Sequence, residues 1–277
     1  MIPQNFEYSS PRTLTEALSL LADGSAKPLG GGMSLIPMMK LRLAAPGHLV
    51  DLSRVPDLDT IRDLGDHLAV RAMASHYAIE SSALVRSKCP LLAEVASYIG
   101  DVQVRNMGTI GGSVAHADPA ADYPAALMAL EAKVRLKSAS AERMLTVDQF
   151  FVDTLTTALN PGEIVLELHV PVEASSTGVA YQKMVQPASG FAIVGVAARV
   201  GKDGFVRVGV TGLAGKAFRA TNVEKIFAET RDPQKAAAVV ADGVDANSDI
   251  HASADYRRQM ARVYTARALA TAAARVA

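Results

Sequence analysis

Three consecutive glycines, Gly30-Gly31-Gly32, stand between a short apolar run ending at Leu29 and the helix-like start Ser34-Leu35-Ile36-Pro37-Met38-Met39. A second turn of the same kind, Thr109-Ile110-Gly111-Gly112-Ser113, lies far downstream. Glycine lets a backbone take positive φ and lets a ligand approach with no Cβ in the way. Consecutive N–H groups in such a turn can converge on an anion, more strongly where a helix begins just after it. The hydroxyls of Ser34, Thr109 and Ser113 are further donors. Two such turns facing each other would suit a diphosphate. Neither is the G-x-G-x-x-G of a dinucleotide fold nor a Walker A loop. Glycine pairs in turns are common, and more of them are plain structural turns than ligand sites, so from these residues alone the two stand only as candidate anion-binding loops.

The pattern around the turns alternates helix and strand. Thr13 and Glu16 have capping-box spacing, and Leu14, Ala17, Leu18 and Leu21 follow at helical intervals, so a helix is predicted over 13–22. Strands are predicted at Ala26–Leu29 and His48–Leu52, then at Thr60-Ile61 and His67–Val70 around the turn Leu64-Gly65-Asp66. Helices follow at His76–Ser82 and Leu91–Tyr98. Gly100–Asp122 reads as a long loop, a length that in a compact domain suggests function. Pro124–Leu130 returns to helix, and Ala132–Leu136 and Glu163–Val170 to strand. After Pro171–Thr177 the character changes. Strands at Val179–Met184, Ala192–Val200 and Val206–Thr211 carry hairpin signals, and helices follow at Val223–Thr230, Pro233–Ala241 and Ala254–Val276. This order predicts an α+β chain with a separate C-terminal unit.

Composition narrows the function. Lys+Arg and Asp+Glu are 28 each, so the net charge is zero, which argues against nucleic-acid or anionic-membrane binding. Aromatics are 5% and tryptophan is absent, which disfavours a ring-stacking platform for sugars or single strands. The lone cysteine, Cys89, can neither pair internally nor hold an iron–sulfur cluster, and reads as an inert small residue. No apolar run is long enough to span a bilayer, and MIPQNFEYSS has no signal-peptide character, so a cytoplasmic location is expected. His116 and Asp118 near Ser113 lack the nucleophile elbow of a serine hydrolase, and His116, Asp118 and Asp122 lack a standard metal-ligand spacing. No catalytic residue and no metal ligand is therefore assigned to this chain. Pro37-Met38-Met39 reads as core or interface filling, and Arg257, Arg258, Arg262 and Arg267 as a solvated helix face or a subunit contact.

Taken together, GGGMSLIPMMKLRLAAPGHLVDLSRVPDL and VRNMGTIGGSVAHADPAADYP resemble the FAD-binding medium subunit of molybdenum hydroxylases, in particular its carbon monoxide dehydrogenase branch. The family carries A-G-G-H-S-L at the first turn and T-I-G-G-N or T-I-G-G-S at the second, and the likeness spans essentially the whole chain. It implies a vanillyl-alcohol-oxidase (PCMH)-type FAD-binding domain over 1–174, with subdomains of about 1–55 and 56–174. A C-terminal domain of antiparallel strands and a helical bundle would occupy 175–277.

Carried over residue by residue, the resemblance implies that Lys27, Pro28, Leu29, Gly30, Gly31, Gly32, Met33, Ser34 and Leu35 line the cofactor and its diphosphate. Thr109, Ile110, Gly111, Gly112 and Ser113 would complete that grip. His116 would lie near the flavin, Asp122 would accept from the adenosine end, and Val165 would pack on the adenine. Lys183 and Phe191 would stand by the flavin ring, with Gln182 the rival to Lys183. Met33 replaces the family's usual histidine and Gly30 its alanine, changes that leave backbone donation intact. The implied role is electron transfer within a heterohexamer. A small iron–sulfur subunit would reduce the FAD, a large subunit would hold the molybdenum cofactor, and an external acceptor would take the electrons. A stand-alone FAD oxidoreductase of the same fold, or a non-catalytic nucleotide-binding scaffold, are the alternatives. A lone chain should also expose an apolar patch for its partners.

Overall fold

The computed structural model describes residues 2–277. Three larger sheets organise the described residues, beside a two-stranded one formed by Phe151–Asp153 and Thr156–Thr157. The first is parallel, in the order Glu7–Ser9, His48–Asp51, Lys27–Leu29. The second is five-stranded and antiparallel, in the order Ile61–Asp63, His67–Arg71, Ile164–Pro171, Lys133–Lys137, Glu142–Thr146. The third is antiparallel, in the order Thr177–Val185, Ala192–Gly201, Val206–Thr211, Phe218–Arg219. The α+β expectation holds.

Each unit buries its own apolar stripe. Leu14–Leu21 is a helix because Thr13 accepts from the Glu16 amide at 3.1 Å and Ala17, Leu18 and Leu21 face inward. The Glu16 carboxylate reaches the Arg12 amide, one residue short of a full capping box. That helix packs with Val50, Leu52 and Leu58 against Ile164 and Leu166 of the second sheet. On the opposite face of that sheet, Leu68, Val70, Val134, Leu136 and Leu168 meet the helices Pro90–Ser97 and Tyr123–Leu130. Every residue of Tyr123–Leu130 is buried, because the third sheet covers its other side. Its backbone is approached so closely that a Cβ on Gly209 would stand 1.9 Å from the Ala125 carbonyl oxygen.

Several elements differ from the sequence-based expectation. The segment predicted as a loop over 100–122 contains two helices, Val102–Met107 and Ile110–His116. Both are short and glycine-flanked, too brief for a 3.6-residue period to be seen, but both carry side-chain caps. Asp101 accepts from the Val104 amide at 2.8 Å and Thr109 from the Gly112 amide at 3.2 Å. The helix Ala83–Lys88 and the edge strand Glu142–Thr146 were also unmarked. Arg257 does not join a solvated face. It is buried, and it donates to the carbonyls of Ile193 at 2.6 Å and Gly212 at 2.8 Å, tying the last helix to the third sheet.

Candidate cofactor site

The first turn leaves the sheet where Leu29 is in register with Asp51, and runs into the helix Leu35–Lys40. Gly32 has φ +73°, the left-handed region that favours glycine. Gly31 is glycine for a different reason. A Cβ there would lie 1.7 Å from the Met107 carbonyl oxygen and 2.9 Å from the Gly108 Cα. A Cβ on Gly30 would meet the Thr109 hydroxyl at 3.0 Å and the Met73 sulfur at 3.6 Å. The two turns, distant in sequence, are therefore in direct contact.

Their hydrogen bonding is unequal. Among the described residues, no backbone amide from Gly30 through Leu35 donates to a partner in the chain; the first to do so is Ile36, to the Gly32 carbonyl at 3.0 Å. In the second turn the four amides from Ile110 to Ser113 are all engaged. Ile110 donates to the Ala74 carbonyl at 3.0 Å, Gly111 to that of Ala72 at 2.9 Å, Gly112 to the Thr109 hydroxyl oxygen, and Ser113 to the Thr109 carbonyl at 3.0 Å. The expectation of two equivalent amide nests is thus corrected. Gly111 sits in a helix and presses on Ala72, whose Cβ would be 2.4 Å from a Cβ at 111, so this glycine serves packing. The first turn offers amides, and the second offers hydroxyls. Thr109 Oγ1 accepts from Gly112 and keeps its own proton to donate. The hydroxyls of Ser34 and Ser113 make no hydrogen bond among the described residues.

The other candidates are distributed as follows. Lys27 is exposed and Pro28 and Leu29 are half-buried, leading into the first turn. Met33 projects outward at its tip. His116 ends the second-turn helix, its Nε2 4.0 Å from Asp118 Oδ2. Val165 is buried in the central core beside a bulge in its strand. Phe191 is exposed at the end of the turn 186–191, where Gly190 lies close to Gly100.

Asp122 and Lys183 are brought together with each other. Lys183 Nζ donates to the Asp122 carboxylate and to the Tyr98 carbonyl at 3.0 Å, and Tyr181 Oη donates to Asp122 at 2.6 Å. Burial pushes the Asp122 carboxyl upward, and the charge of Lys183 opposes it. The carboxylate expected to face a ribose thus has two partners from the third sheet. Lys183, not Gln182, is the side chain turned inward.

One residue of the site was not anticipated. His76 is buried beneath the second turn, where its Nε2 would be 2.6 Å from a Cβ on Gly108, and its Nδ1 is 3.2 Å from Tyr123 Oη. Burial, with the nearby Arg105 charge, lowers its pKa to about 4. The unfolded chain then binds this proton more readily, so stability is intact at neutral pH and declines as pH falls from about 6.5 towards 4. The expected loss is on the order of 3 kcal/mol by pH 4. A His76→Gln variant, measured by denaturant melts at several pH values, should lack that decline.

Residues 4–173 match the family model for the FAD binding domain in molybdopterin dehydrogenase, and residues 179–272 that for the CO dehydrogenase flavoprotein C-terminal domain. The chain belongs to the FAD-binding medium-subunit family of molybdenum hydroxylases. It is 39% identical to the carbon monoxide dehydrogenase medium chain of Hydrogenophaga pseudoflava, covering 100% of both chains. It is 37% identical to the glyceraldehyde dehydrogenase medium chain of Sulfolobus acidocaldarius, covering 97% of this chain and 98% of that one. The structure of carbon monoxide dehydrogenase from Hydrogenophaga pseudoflava lacking the Mo-pyranopterin moiety superposes with a TM-score of 0.96 at 39% identity, over 100% of both chains. Quinoline 2-oxidoreductase from Pseudomonas putida 86 superposes with a TM-score of 0.93 at 29% identity, over 99% of each. As a medium subunit, the chain takes FAD as its cofactor, and the residues fit it. A turn of uncommitted amides beside free hydroxyls is the donor set a diphosphate requires. Among the described residues no helix is long and apolar enough to cross a membrane.

Proposed function

We infer that this medium subunit is the electron-transfer flavoprotein of a heteromeric molybdenum hydroxylase, taking electrons from a small iron–sulfur subunit and passing them to an external acceptor. A large subunit holds the molybdenum cofactor in this reading, the assembly is a heterohexamer, and it works in the cytoplasm. The observation that carries the reading is the contact between the first turn, with its free amides, and the hydroxyl-bearing second turn. The division is drawn at 1–174 and 175–277, a reading supported by separate family-model matches over 4–173 and 179–272.

Bound FAD supplies the redox chemistry. The chain's residues bind and orient it. Amides from Gly30 to Leu35 would hold the diphosphate, with the hydroxyls of Ser34, Thr109 and Ser113 as additional donors. Lys27, Pro28, Leu29 and Met33 border that turn, and Ile110, Gly111 and Gly112 hold the second turn in place. Val165 would pack on the adenine, and His116 and Phe191 would stand by the flavin. Asp122 and Lys183 hold the third sheet against the site. No side chain of this subunit is assigned as acid, base or nucleophile on the primary substrate. Relatives carry names as different as carbon monoxide, glyceraldehyde and caffeine dehydrogenase subunits, which supports the reading that substrate choice rests with another chain.

Ser34→Ala and Thr109→Val should each weaken FAD binding about tenfold, the worth of one hydrogen bond to a charged group. Thr109→Val should also lose roughly 1 kcal/mol of stability with its helix cap. Equilibrium titration with FAD and thermal melts check both. The electron-transfer step is tested by mixing the flavin-loaded subunit anaerobically with its pre-reduced iron–sulfur partner. Rapid bleaching of the flavin absorbance is expected; an unchanged spectrum would overturn the assignment.

A further inference from the structure

The face of the five-stranded sheet that the first unit covers only at Ile164 and Leu166 carries, over its remaining part, an unusual charge arrangement for a chain whose net charge is zero. Strand register places Arg62, Arg71, Lys133, Arg135 and Lys137 on this face. At its centre is Glu167, only 1% exposed. Its two oxygens accept from Arg135 at 2.8 Å, His169 at 2.8 Å, Arg62 at 3.1 Å and Arg71 at 3.2 Å. Burial pushes this carboxyl up, but hydrogen bonds from His169 and Arg135 and the arginine charges bring it to about 2, so it stays ionised. The other carboxylate on the face, Glu142, is engaged by Arg135 and by Lys137 at 3.0 Å. His67 stacks on His169 at 4.4 Å and pairs with Asp66 at the sheet's edge.

Two consequences follow. The buried carboxylate fixes the guanidinium groups of Arg62, Arg71 and Arg135 in place, so their positive charge is held at the face at little entropic cost. Cations outnumber the carboxylates of the face, and both carboxylates are already committed. The surface is a sheet face, and small ligands bind in concave sites, so its shape suits a protein. Arginine-rich fixed surfaces complement acidic ones and accelerate encounter.

The location indicates which protein. Arg71 ends its strand, and the next residues are the wall of the cofactor turns: the Ala72 carbonyl accepts from Gly111, and the Met73 sulfur is 3.6 Å from the Cβ position of Gly30. Two residues of chain span at most about 7 Å. The cationic face therefore adjoins the diphosphate turns.

We propose that the Arg62–Arg71–Lys133–Arg135–Lys137 face, preset by Glu167, is the docking surface for an acidic one-electron carrier protein that serves as the external acceptor. The identity of this occupant rests on the electron-transfer reading above. Each turnover would move two electrons to two oxidised carriers, one each, with two protons released to solvent and no protein bond made or broken.

The test compares the FAD-loaded full chain with its Arg62→Gln/Lys133→Gln/Lys137→Gln variant, which leaves Glu167 with Arg71, Arg135 and His169. Both are reduced anaerobically and mixed with an acidic b-type cytochrome, a basic c-type cytochrome or a small neutral quinone. At low ionic strength the variant should reduce the acidic cytochrome about tenfold more slowly and the basic one faster, with the quinone rate unchanged. The difference should shrink as salt screens the charges. Equal rates with the acidic cytochrome at low salt would overturn the proposal. Equilibrium binding of the oxidised acidic cytochrome to the chain needs no flavin. Weaker binding to the variant supports the docking surface, and equal binding overturns it. A wild-type chain that takes up no FAD would sink the electron-transfer reading and leave this binding result to decide the surface.

Discussion

Gly31→Val should purify colourless. The added Cβ would stand 1.7 Å from the Met107 carbonyl oxygen, a backbone atom that no rotamer change can move. The two turns must then separate, and the amides of 30–35 lose their alignment with the Thr109 and Ser113 hydroxyls. FAD affinity should fall by at least about a hundredfold, or roughly 3 kcal/mol. Far-UV circular dichroism should be unchanged, because the turn lies at the surface of a unit with its own core. Gly30→Ala is the control. Its Cβ would meet only the Thr109 hydroxyl at 3.0 Å and a flexible methionine, and the related family pattern has alanine there, so flavin should be retained. Flavin content after desalting, followed by FAD titration, separates the two variants. A fully yellow Gly31→Val protein would show that contact between the turns is not needed.

The second large effect is expected at the pair joining the third sheet to the rest. Lys183→Met leaves the Asp122 carboxylate buried with only Tyr181 as donor, and Asp122→Asn leaves a buried ammonium with reduced compensation. Each single change should cost about 3–5 kcal/mol, the usual result of orphaning a buried charge. The double variant should recover much of that loss, since replacing both partners removes the desolvation penalty of both. Denaturant unfolding of the four proteins gives the coupling energy directly. Strictly additive losses would mean that the pair is not an interacting unit. Flavin retention should follow stability in this series if Asp122 and Lys183 act by holding the sheet against the site.

The extent to which this was legible in the sequence depends on the range of the interaction. The third sheet was plain, because Ala192–Val200 and Val206–Thr211 are apolar and flanked by the turn Lys202-Asp203-Gly204. The first helix was plain from its cap and spacing. The helices Val102–Met107 and Ile110–His116 were not, because six or seven residues rich in glycine and polar side chains carry no period. Only Asp101 and Thr109, as caps, pointed to them.

The glycine turns were correctly singled out for their composition, but the division of labour between them depends on where each amide donates. That is a matter of partners such as Ala72 and Ala74, which sequence does not reveal. His76 and the Asp122–Lys183 pair were missed or assigned other partners for the same reason, because each is defined by a residue far along the chain. Glu167 was invisible as a centre, since its four partners come from four different strand positions.

The most direct measurement of the central claim is amide hydrogen exchange, residue by residue, on the medium subunit with and without FAD. Without FAD, the amides from Gly30 to Leu35 should exchange freely, while those of Ile110 to Ser113 are already protected by their internal acceptors. On FAD loading the first set should slow by about a hundredfold or more and the second should change little. Exchange at 30–35 that is indifferent to saturating FAD would contradict the account.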